Sequence, residues 1–393
     1  MSSVLAAARH APSVDEPIRV MVVDDAVVVR SLLARWVDAE PDMQIIASLR
    51  TGREAVEQIG HSNPDVVVLD IDMPELDGIS ALPLLLKKKH NLVVIMVSTL
   101  TRRSAEISLR ALSLGAADYI PKPQTTRETT TSVSFRRELI DKIRTLGRGR
   151  FSPRSHGRTA SSEAEPISNR GQAPARRTKR SALFEGEHGP IQLRPFSLAT
   201  PRALLIGSST GGPQALTALI AKLTAAIDRA PVLISQHMPP TFTAVLAEHL
   251  SRIGGRGAHE AEHGEPVLAG GIYVAPGGRH MRVVRAADGI KIAIGDDAPI
   301  NFCKPAVDPL FSSAAQAWGP ASLALVLTGM GNDGTNGAAD IVAAGGSVIA
   351  QNEASSVVWG MPRSVAQAGL CSAVLPLDEI APKVIRLLSG DRS

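Results

Sequence analysis

The sequence predicts an α/β fold in two consecutive units, each built on a mainly parallel sheet. The chain has 393 residues, too many for one compact core and enough for two domains. Hydrophobic residues make up 44% of it but aromatic residues only 3%, so the apolar content is mainly aliphatic. Aliphatic runs alternate with helical patterns in both halves, as is typical of parallel sheets buried on both faces.

The first unit, predicted at 17–140, contains five aliphatic runs separated by helical patterns. The runs predict strands at 18–23, 43–47, 66–69, 92–97 and 118–120. The intervening patterns predict helices at 27–38, 53–59, 79–89 and 104–114. Five strands that alternate with helices predict a doubly wound, five-stranded parallel sheet.

The second unit, predicted at 199–390, repeats this alternation. Its aliphatic runs predict strands at 203–206, 232–235, 271–275, 281–285, 324–327 and 347–350. Its helical patterns lie at 213–223, 241–253, 309–318 and 334–344. The order predicts a mostly parallel sheet with one antiparallel hairpin within residues 273–294.

The remaining segments have no such alternation. Residues 1–16 predict a disordered leader, and residues 141–198 a flexible basic linker, because residues 151–180 hold too few aliphatic residues to fold. The net charge of +4 is concentrated in this linker, and no Phe, Tyr or Trp stands between residues 152 and 180 to stack on bases. A tether is therefore favoured over a basic arm that binds nucleic acid.

Cysteine content and hydropathy favour the cytoplasm. Cys303 and Cys371 are too few for a disulfide framework and lack zinc-site spacing. No run reaches the roughly 18 apolar residues of a membrane span, and the N-terminus has no sustained apolar core. We therefore expect a cytoplasmic protein without membrane insertion.

Polar residues stand at the ends of predicted strands in the first unit. Asp24 and Asp25 follow the first strand, Asp70 the third, Ser98 the fourth and Lys122 the fifth. These ends share one edge of an open parallel sheet. Converging carboxylates repel each other unless a hard cation lies among them, and oxygen ligands suit Mg²⁺. The pattern predicts that Asp70 attacks a phosphoryl donor, while Lys122 offsets charge and Ser98 binds the new phosphate.

A glycine-rich turn follows the first predicted strand of the second unit. Gly207, Ser209 and Gly211 fit the G-x-S-x-G elbow, which exposes a serine nucleophile at a sharp strand-to-helix turn. Such a turn also cradles phosphates, although neither G-K-[ST] nor G-x-G-x-x-G spacing occurs in it. The turn alone leaves both interpretations open.

Two further strands of this unit end at residues that suit a serine nucleophile. His237 follows the strand at 232–235, and Asp333 follows the strand at 324–327 in a glycine-rich loop. At one sheet edge, Ser209 would attack a carbonyl, His237 would take its proton and Asp333 would fix the imidazole tautomer. A structural histidine and an N-cap aspartate are the competing interpretations. Other histidines stand in polar context and are expected to be solvated: His249, His259, His263 and His280.

The motifs of the first unit resemble the receiver domain of two-component response regulators over about residues 18–140. They are D-D at Asp24 and Asp25, L-D-I-D-M-P-E-L-D-G at 69–78, Ser98, and K-P at Lys122. The resemblance implies a flavodoxin-like fold, phosphorylation of Asp70 by a chemotaxis histidine kinase, and Mg²⁺ near the phosphorylated residue. The implied Mg²⁺ ligands are Asp24, Asp25, Asp70 and the backbone carbonyl of Asp72; the implied switch residues are Ser98, Tyr119 and Lys122.

The second unit resembles the catalytic domain of chemotaxis protein-glutamate methylesterases, the CheB family. The similar motifs are I-G-S-S-T-G-G at 206–212, Q-H-M-P at 236–239, V-A-P-G-G-R-H-M at 274–281, L-T-G-M-G-N-D-G at 327–334 and W-G-M-P-R at 359–363. The resemblance implies a Rossmann-like hydrolytic domain that needs no cofactor. It implies demethylation of glutamate methyl esters, and deamidation of glutamines, on the helical cytoplasmic region of chemoreceptors. It assigns Ser209, His237 and Asp333 to the triad, the Met330 amide to the oxyanion hole, and Thr210 to a place beside the nucleophile.

The order of the two units implies a hydrolase controlled by phosphorylation. In the resembled family the unphosphorylated receiver covers the hydrolase site, so we expect phosphorylation to loosen that contact. The competing classes are a DNA-binding output, which needs a helix-turn-helix that the second half does not predict, a binding scaffold, and an esterase for another substrate. The expected partners are the kinase and methylated chemoreceptors, without nucleic acid.

Overall fold

The first unit of the computed structural model is a five-stranded parallel sheet in the order β2-β1-β3-β4-β5 with helices between the strands. The structure describes residues 16–123, 132–149, 191–223 and 227–391. The predicted doubly wound sheet is confirmed, and β3 is buried along its whole length, as its aliphatic run requires. The elements are β1 (Ile18–Val23), α1 (Val27–Asp38), β2 (Met43–Leu49), α2 (Gly52–Ser62), β3 (Val66–Asp70), α3 (Gly78–Lys88), β4 (Val93–Thr99), α4 (Arg102–Ser113), β5 (Asp118–Lys122) and α5 (Val133–Gly149).

The last helix of this unit extends beyond the predicted boundary at residue 140. Helix α5 continues to Gly149, and Leu139, Ile143 and Leu146 are buried on one face of it. A Cβ atom on Gly147 would lie 2.9 Å from the Ile18 side chain, so the last turn packs on β1. Residues 141–149 were assigned to the linker, and this is corrected because their apolar stripe continues at helical spacing.

The second unit has a seven-stranded sheet, all parallel, in the order β14-β13-β12-β6-β7-β9-β8, and a separate antiparallel hairpin of β10 and β11. Helices cover both faces, and single 3₁₀ turns occur at Ile227–Arg229 and Gly319–Ala321. The elements are β6 (Ala203–Ser208), α6 (Gly212–Leu223), β7 (Val232–Gln236), α7 (Phe242–Gly254), β8 (Ala258–Glu260), β9 (Ile272–Val274), β10 (His280–Ala286), β11 (Gly289–Gly295), α8 (Val307–Trp318), β12 (Ser322–Val326), α9 (Thr335–Ala343), β13 (Ser347–Gln351), α10 (Met361–Gln367), β14 (Ala373–Leu375) and α11 (Leu377–Leu388).

The predicted mostly parallel sheet is confirmed, with differences in detail. The predicted hairpin region began at Tyr273, which instead lies in β9 of the parallel sheet; the hairpin itself starts at His280. The sequence did not predict β8 or β14, because strands of three residues carry no readable period. The helices α10 and α11 were not predicted either.

Part of the predicted linker packs on the second unit. The Arg194 amide donates to the Cys371 carbonyl at 2.9 Å, and the Ser197 amide donates to Ser347 Oγ at 2.8 Å. Phe196 packs against the apolar core. The ordered second unit therefore begins before residue 199, while the leader up to residue 15 and the linker at 150–190 lie outside the described residues.

The two units contact each other through α4, β5 and α5 of the first. Helix α4 packs on α6 and α7. The ring of Tyr119 stacks on that of Phe242, with centroids 4.8 Å apart and planes 3° from parallel. Val358 and Met330 of the second unit pack against an apolar cluster of the first. In the described parts of the chain, no helix is both long and apolar enough to cross a membrane.

Candidate functional site

Three carboxylates and one lysine meet at the carboxyl edge of the first sheet. Lys122 Nζ lies 2.7 Å from Asp24 Oδ2 and 2.8 Å from Asp70 Oδ1. Asp24 and Asp70 are buried, whereas Asp25 is exposed. One carboxylate oxygen from each aspartate lies within 4.8 Å of the others. The structure therefore brings together the aspartates and the lysine that the strand ends predicted.

The charges at this edge are incompletely balanced. Burial, with a further contribution from the Asp24 carboxylate, raises the pKa of Asp70 to about 6 although Lys122 opposes the change. Burial alone would lower the pKa of Lys122, but Asp70 and Asp24 outweigh it and raise that pKa. Three convergent carboxylates with one ammonium fit a hard divalent cation such as Mg²⁺, which prefers oxygen ligands.

The other predicted receiver residues have different surroundings. Ser98 is buried, and its Oγ shares a hydrogen bond of 3.1 Å with Ser108 Oγ. Asp72 is exposed just beyond β3. Tyr119 is buried against Phe242, and burial raises its pKa well above the usual value. Tyr119, a predicted switch residue, therefore faces the second unit, whereas Lys122 faces the aspartates.

At the carboxyl edge of the second sheet, Ser209 and His237 follow neighbouring strands. Ser208 of β6 pairs with Gln236 of β7, and the His237 amide donates to the Ser208 carbonyl at 3.1 Å. The Gln236 side chain accepts from Ser208 Oγ at 2.6 Å and donates to the Ser209 carbonyl at 2.9 Å. This amide therefore fixes the serine turn beside the histidine.

The turn around Ser209 and the loop beside it require glycine at several positions, one of them in the elbow motif. Gly211 has φ +75°, which side chains disfavour. A Cβ atom on Gly212 would lie 2.0 Å from Gln236 Oε1, and one on Gly329 would lie 2.8 Å from Ser209 Cβ. The Gly-rich loop after β12 therefore lies directly against the serine, where backbone amides can approach a reacting carbonyl.

Asp333 binds His237 and the start of a helix at the same time. His237 Nε2 donates to Asp333 Oδ2 at 2.7 Å. The same carboxylate accepts from the amides of Val307 at 2.6 Å, Asp308 at 3.1 Å and Gly334 at 2.8 Å. The competing N-cap interpretation is wrong for the following helix, because α9 has no side-chain cap; Asp333 instead binds the N-terminus of α8.

These contacts set the charges of the pair. Burial alone would raise the pKa of Asp333, but the hydrogen bonds from His237, Val307 and Asp308 outweigh it and lower that pKa. Burial would lower the pKa of His237, but hydrogen bonds to Asp333 and Cys303 outweigh it and raise that pKa. Since Nε2 faces Asp333, Nδ1 is the ring nitrogen available to a serine. Among the described residues Ser209 Oγ has no hydrogen-bond partner, as is frequent in substrate-free sites.

Thr210 and Met330, which lie near Ser209, both form hydrogen bonds with residues of the first unit. Thr210 Oγ1 donates to Asp118 Oδ2 at 2.9 Å, and both residues are buried. Lys142 Nζ lies 2.9 Å from the same Asp118 oxygen. Thr145 Oγ1 donates to the sulfur of Met330 at 3.2 Å. The predicted Thr210 and Met330 positions thus lie at the contact between the units.

Three residues near the pair were not predicted to belong to the site. His280, expected to be solvated, is fully buried: it accepts the Ala306 amide at 3.1 Å and donates to the Ala298 carbonyl at 3.1 Å, which braces the chain before α8. Asp308 is buried at the start of α8. Cys303 helps to raise the pKa of His237. The V-A-P-G-G-R-H-M motif was a signal for His280, whereas a loop cysteine gives none.

Comparisons with known proteins agree with this two-part architecture. Residues 20–134 match the family model described as response regulator receiver domain, and residues 204–384 match that of CheB methylesterase. The protein-glutamate methylesterase/protein-glutamine glutaminase of Nitrobacter hamburgensis is 60% identical, over 96% of each chain. The protein of the same description from Rhodopseudomonas palustris strain BisB5 is also 60% identical, over 96% of each chain.

The fold and these matches define a response regulator whose output domain is a hydrolase. The chain belongs to the CheB family of protein-glutamate methylesterases/protein-glutamine glutaminases. Among solved structures, the CheB methylesterase catalytic domain of Thermotoga maritima is 39% identical and covers 48% of this chain and 100% of that chain, with a TM-score of 0.47. The alternative of a DNA-binding output is wrong, since the CheB match occupies the second unit.

Proposed function

We propose that the protein hydrolyses glutamyl methyl esters, and deamidates glutamines, on chemoreceptors, and that phosphorylation of Asp70 activates it. The observation that carries this proposal is the hydrogen-bonded pair of His237 and Asp333 beside the Ser209 turn at one sheet edge. The names of the relatives supply the substrate class. The proposed partners are a chemotaxis histidine kinase and methylated receptors. The proposed compartment is the cytoplasm, with which the free cysteines Cys303 and Cys371 agree.

The proposed reaction proceeds through an acyl-enzyme. Ser209 Oγ attacks the ester carbonyl carbon while His237 Nδ1 takes the hydroxyl proton. The tetrahedral oxyanion accepts hydrogen bonds from the backbone amides of the Met330 loop. His237 then gives the proton to the departing methanol, or to ammonia from a glutamine. Water, deprotonated by His237, cleaves the Ser209 ester and leaves a glutamate side chain.

In this scheme Asp333 orients the imidazole and stabilises its protonated form. The first two amides of α8 keep the carboxylate ionised, because the N-terminus of a helix favours negative charge. The carboxylate therefore never needs to take the proton itself. Gln236 has a separate positioning role, because it ties the backbone of the serine turn to the strand that carries His237.

The receiver reaction is proposed to start from the same cluster of carboxylates. Asp70 attacks the phosphoryl group of a phosphohistidine, and the histidine leaves. Mg²⁺, held by Asp24, Asp25 and Asp70, with the Asp72 carbonyl as a further ligand, would supply the positive charge that offsets the phosphoryl oxygens. The Lys122 ammonium, now shared between Asp24 and Asp70, lies within reach of the new phosphate. Ser98 would exchange its bond to Ser108 for one to a phosphate oxygen.

Phosphorylation is proposed to act by releasing the first unit from the hydrolase edge. In the present arrangement Tyr119 stacks on Phe242, Asp118 binds Thr210, and α5 contacts Met330. Tyr119 stands in β5 three residues before Lys122, so a change at the phosphorylated edge would alter the stacking. A ligand shifts such an equilibrium by its different affinity for the two states, and the phosphate would favour the open state.

The test is methanol release from receptor membranes that carry methyl esters, with and without acetyl phosphate and Mg²⁺. We expect release that increases with the phosphodonor, is abolished by Ser209→Ala, and stays at the basal rate in Asp70→Asn. A generic nitrophenyl ester, assayed in parallel, separates a receptor enzyme from a general esterase. Equal rates of methanol release with and without the phosphodonor would contradict the proposed control by phosphorylation. No release from any methylated receptor would contradict the proposed substrate.

A further inference from the structure

Phe302 is an exposed aromatic residue next to the catalytic pair. Its side chain is 81% exposed, the largest exposed fraction among the large apolar residues in the described ranges. Five residues further along the chain, the Val307 amide donates at 2.6 Å to Asp333 Oδ2, the same oxygen that His237 Nε2 binds. The Phe302 ring is therefore exposed to solvent at the border of the hydrolase site. Packing inside the protein does not account for an aromatic residue at this position.

The loop holds Phe302 in a rigid and unfavourable backbone conformation. Asn301 and Phe302 have φ angles of +49° and +66°, in the left-handed region that residues other than glycine rarely adopt. Amides and carbonyls of Ile300 and Cys303 pair with each other at 2.8 and 3.1 Å. Lys304 Nζ lies 2.6 Å from Asp296 and fixes the base of the loop. Strained residues held in this way cluster at functional sites.

The first unit partly covers this ring. The guanidinium of Arg137, on α5, lies 4.1 Å from the centroid of the Phe302 ring. The same helix contacts Met330 through Thr145. The ring thus lies at the margin between the two units.

We propose that Phe302 is a docking residue for the receptor helix that carries the reactive side chain. Its ring would pack against apolar side chains about one turn, or 5.4 Å, from the ester. Exposed aromatic anchors of this kind dominate helix-in-groove contacts. The inference rests on the proposed function, and it adds a contact that a small ester cannot make.

The test compares two substrates in the full-length protein with saturating acetyl phosphate and Mg²⁺, so that the cover by Arg137 does not limit access. Phe302→Ala should raise KM for methylated receptors about tenfold, with kcat nearly unchanged. Its hydrolysis of nitrophenyl acetate should equal that of the wild type. Phe302→Leu should give an intermediate KM. Because the ring is exposed, both variants should fold.

Leu268→Ala is the matched control, because Leu268 is 60% exposed but precedes β9, at the opposite edge of the sheet. It should leave both substrates unaffected, and Arg137→Ala should leave the receptor KM unaffected. An unchanged receptor KM in Phe302→Ala would overturn the docking role while the proposed function stands. Equal losses with both substrates would also overturn it, since Phe302 would then support the catalytic pair. No methanol release by the wild type would overturn the proposed function itself.

Discussion

The two sheet edges of the molecule hold buried aspartates in opposite electrostatic states. Asp70 is 6% exposed and faces a second carboxylate, with one lysine shared between them, and its pKa is raised to about 6. Asp333 is 2% exposed and accepts from His237 and three backbone amides, and its pKa is lowered. Equal burial therefore gives opposite shifts, because the number of donors decides which form is stable.

The donors also differ in their freedom to move. In the part of the chain that the structure describes, the cation paired with Asp70 is the Lys122 side chain, which can leave the carboxylate for a phosphate. Around Asp333 the donors of α8 are backbone groups fixed by the helix itself. The first arrangement suits a group that is modified and that biases two conformations. The second suits a group that must keep one charge and one position throughout a catalytic cycle.

The largest expected effect comes from removing the negative charge of Asp333. Asp333→Asn should lower receptor-directed methanol release about 10⁴-fold, because an amide cannot favour the imidazolium or hold its tautomer. Rates should be measured with acetyl phosphate present. Asp308→Asn is the control, since Asp308 is a buried neighbour at the start of α8 that binds the Gly337 amide; it should keep most of the activity. A rate for Asp333→Asn within tenfold of the wild type would remove Asp333 from the triad.

The Asp70 edge should reveal its unbalanced charge in the pH dependence of stability. The pKa of Asp70 is raised in the folded protein, so the unfolded chain ionises first as pH rises from about 4 to 6, and the folded state loses stability over that window. Asp70→Asn should therefore raise the free energy of unfolding of the first unit by about 2–3 kcal/mol at pH 7.5 and by much less at pH 4.5.

Urea denaturation at the two pH values, followed by circular dichroism, measures this difference. Mg²⁺ should stabilise the wild type at pH 7.5 and have a smaller effect on Asp70→Asn. Glu75→Gln, an exposed carboxyl near the same edge, should change neither result. An equal gain in the free energy of unfolding at both pH values would mean that the charge of Asp70 does not destabilise the folded state.

The two sheet edges also differ in how much of each could be predicted from the sequence. Asp70, Ser209 and His237 could be placed because each follows a long aliphatic strand, and ends of parallel strands share an edge. That Asp333 binds the N-terminus of α8 could not be predicted, because Val307 lies 26 residues earlier in the chain. The fold was predictable where runs were long, and its short strands β8 and β14 were not.

Polar sequence neighbours suggested that His280 is exposed to solvent, but segments distant in the chain bury it. His280 appears solvated in a glycine-rich sequence, yet it is enclosed by the Ala298 and Ala306 backbone groups. The boundary at residue 140 was wrong for a different reason, since the apolar stripe of α5 continues at helical spacing to Leu146. Composition around a residue describes its chain neighbours, whereas its burial depends on the fold.

The contact between the two units provides a test of how the first unit controls the hydrolase site of the second. Asp118→Ala should raise methanol release without phosphodonor about tenfold, because a hydrogen bond to a charged group contributes about 1.5 kcal/mol and Thr210 would lose it. The matched control is Glu138→Gln, which removes the other acidic partner of Lys142, at 3.1 Å, without contact to Thr210. If both variants raised basal release equally, disruption around Lys142 rather than loss of the Thr210 contact would be the cause.

The smallest expected effect comes from the exposed ion pair of α4 and α7. Arg102 lies 2.5 Å from Glu248, but the side chains are 58% and 49% exposed, so solvent screens their attraction. Arg102→Glu and Glu248→Arg should each raise basal release about two- to threefold, and the double variant should return to the wild-type rate. The difference should shrink at 1 M salt, where the Debye length is about 3 Å. Additive increases in the double variant would show that these substitutions disturb packing, and that only buried contacts such as Asp118 with Thr210 hold the units together.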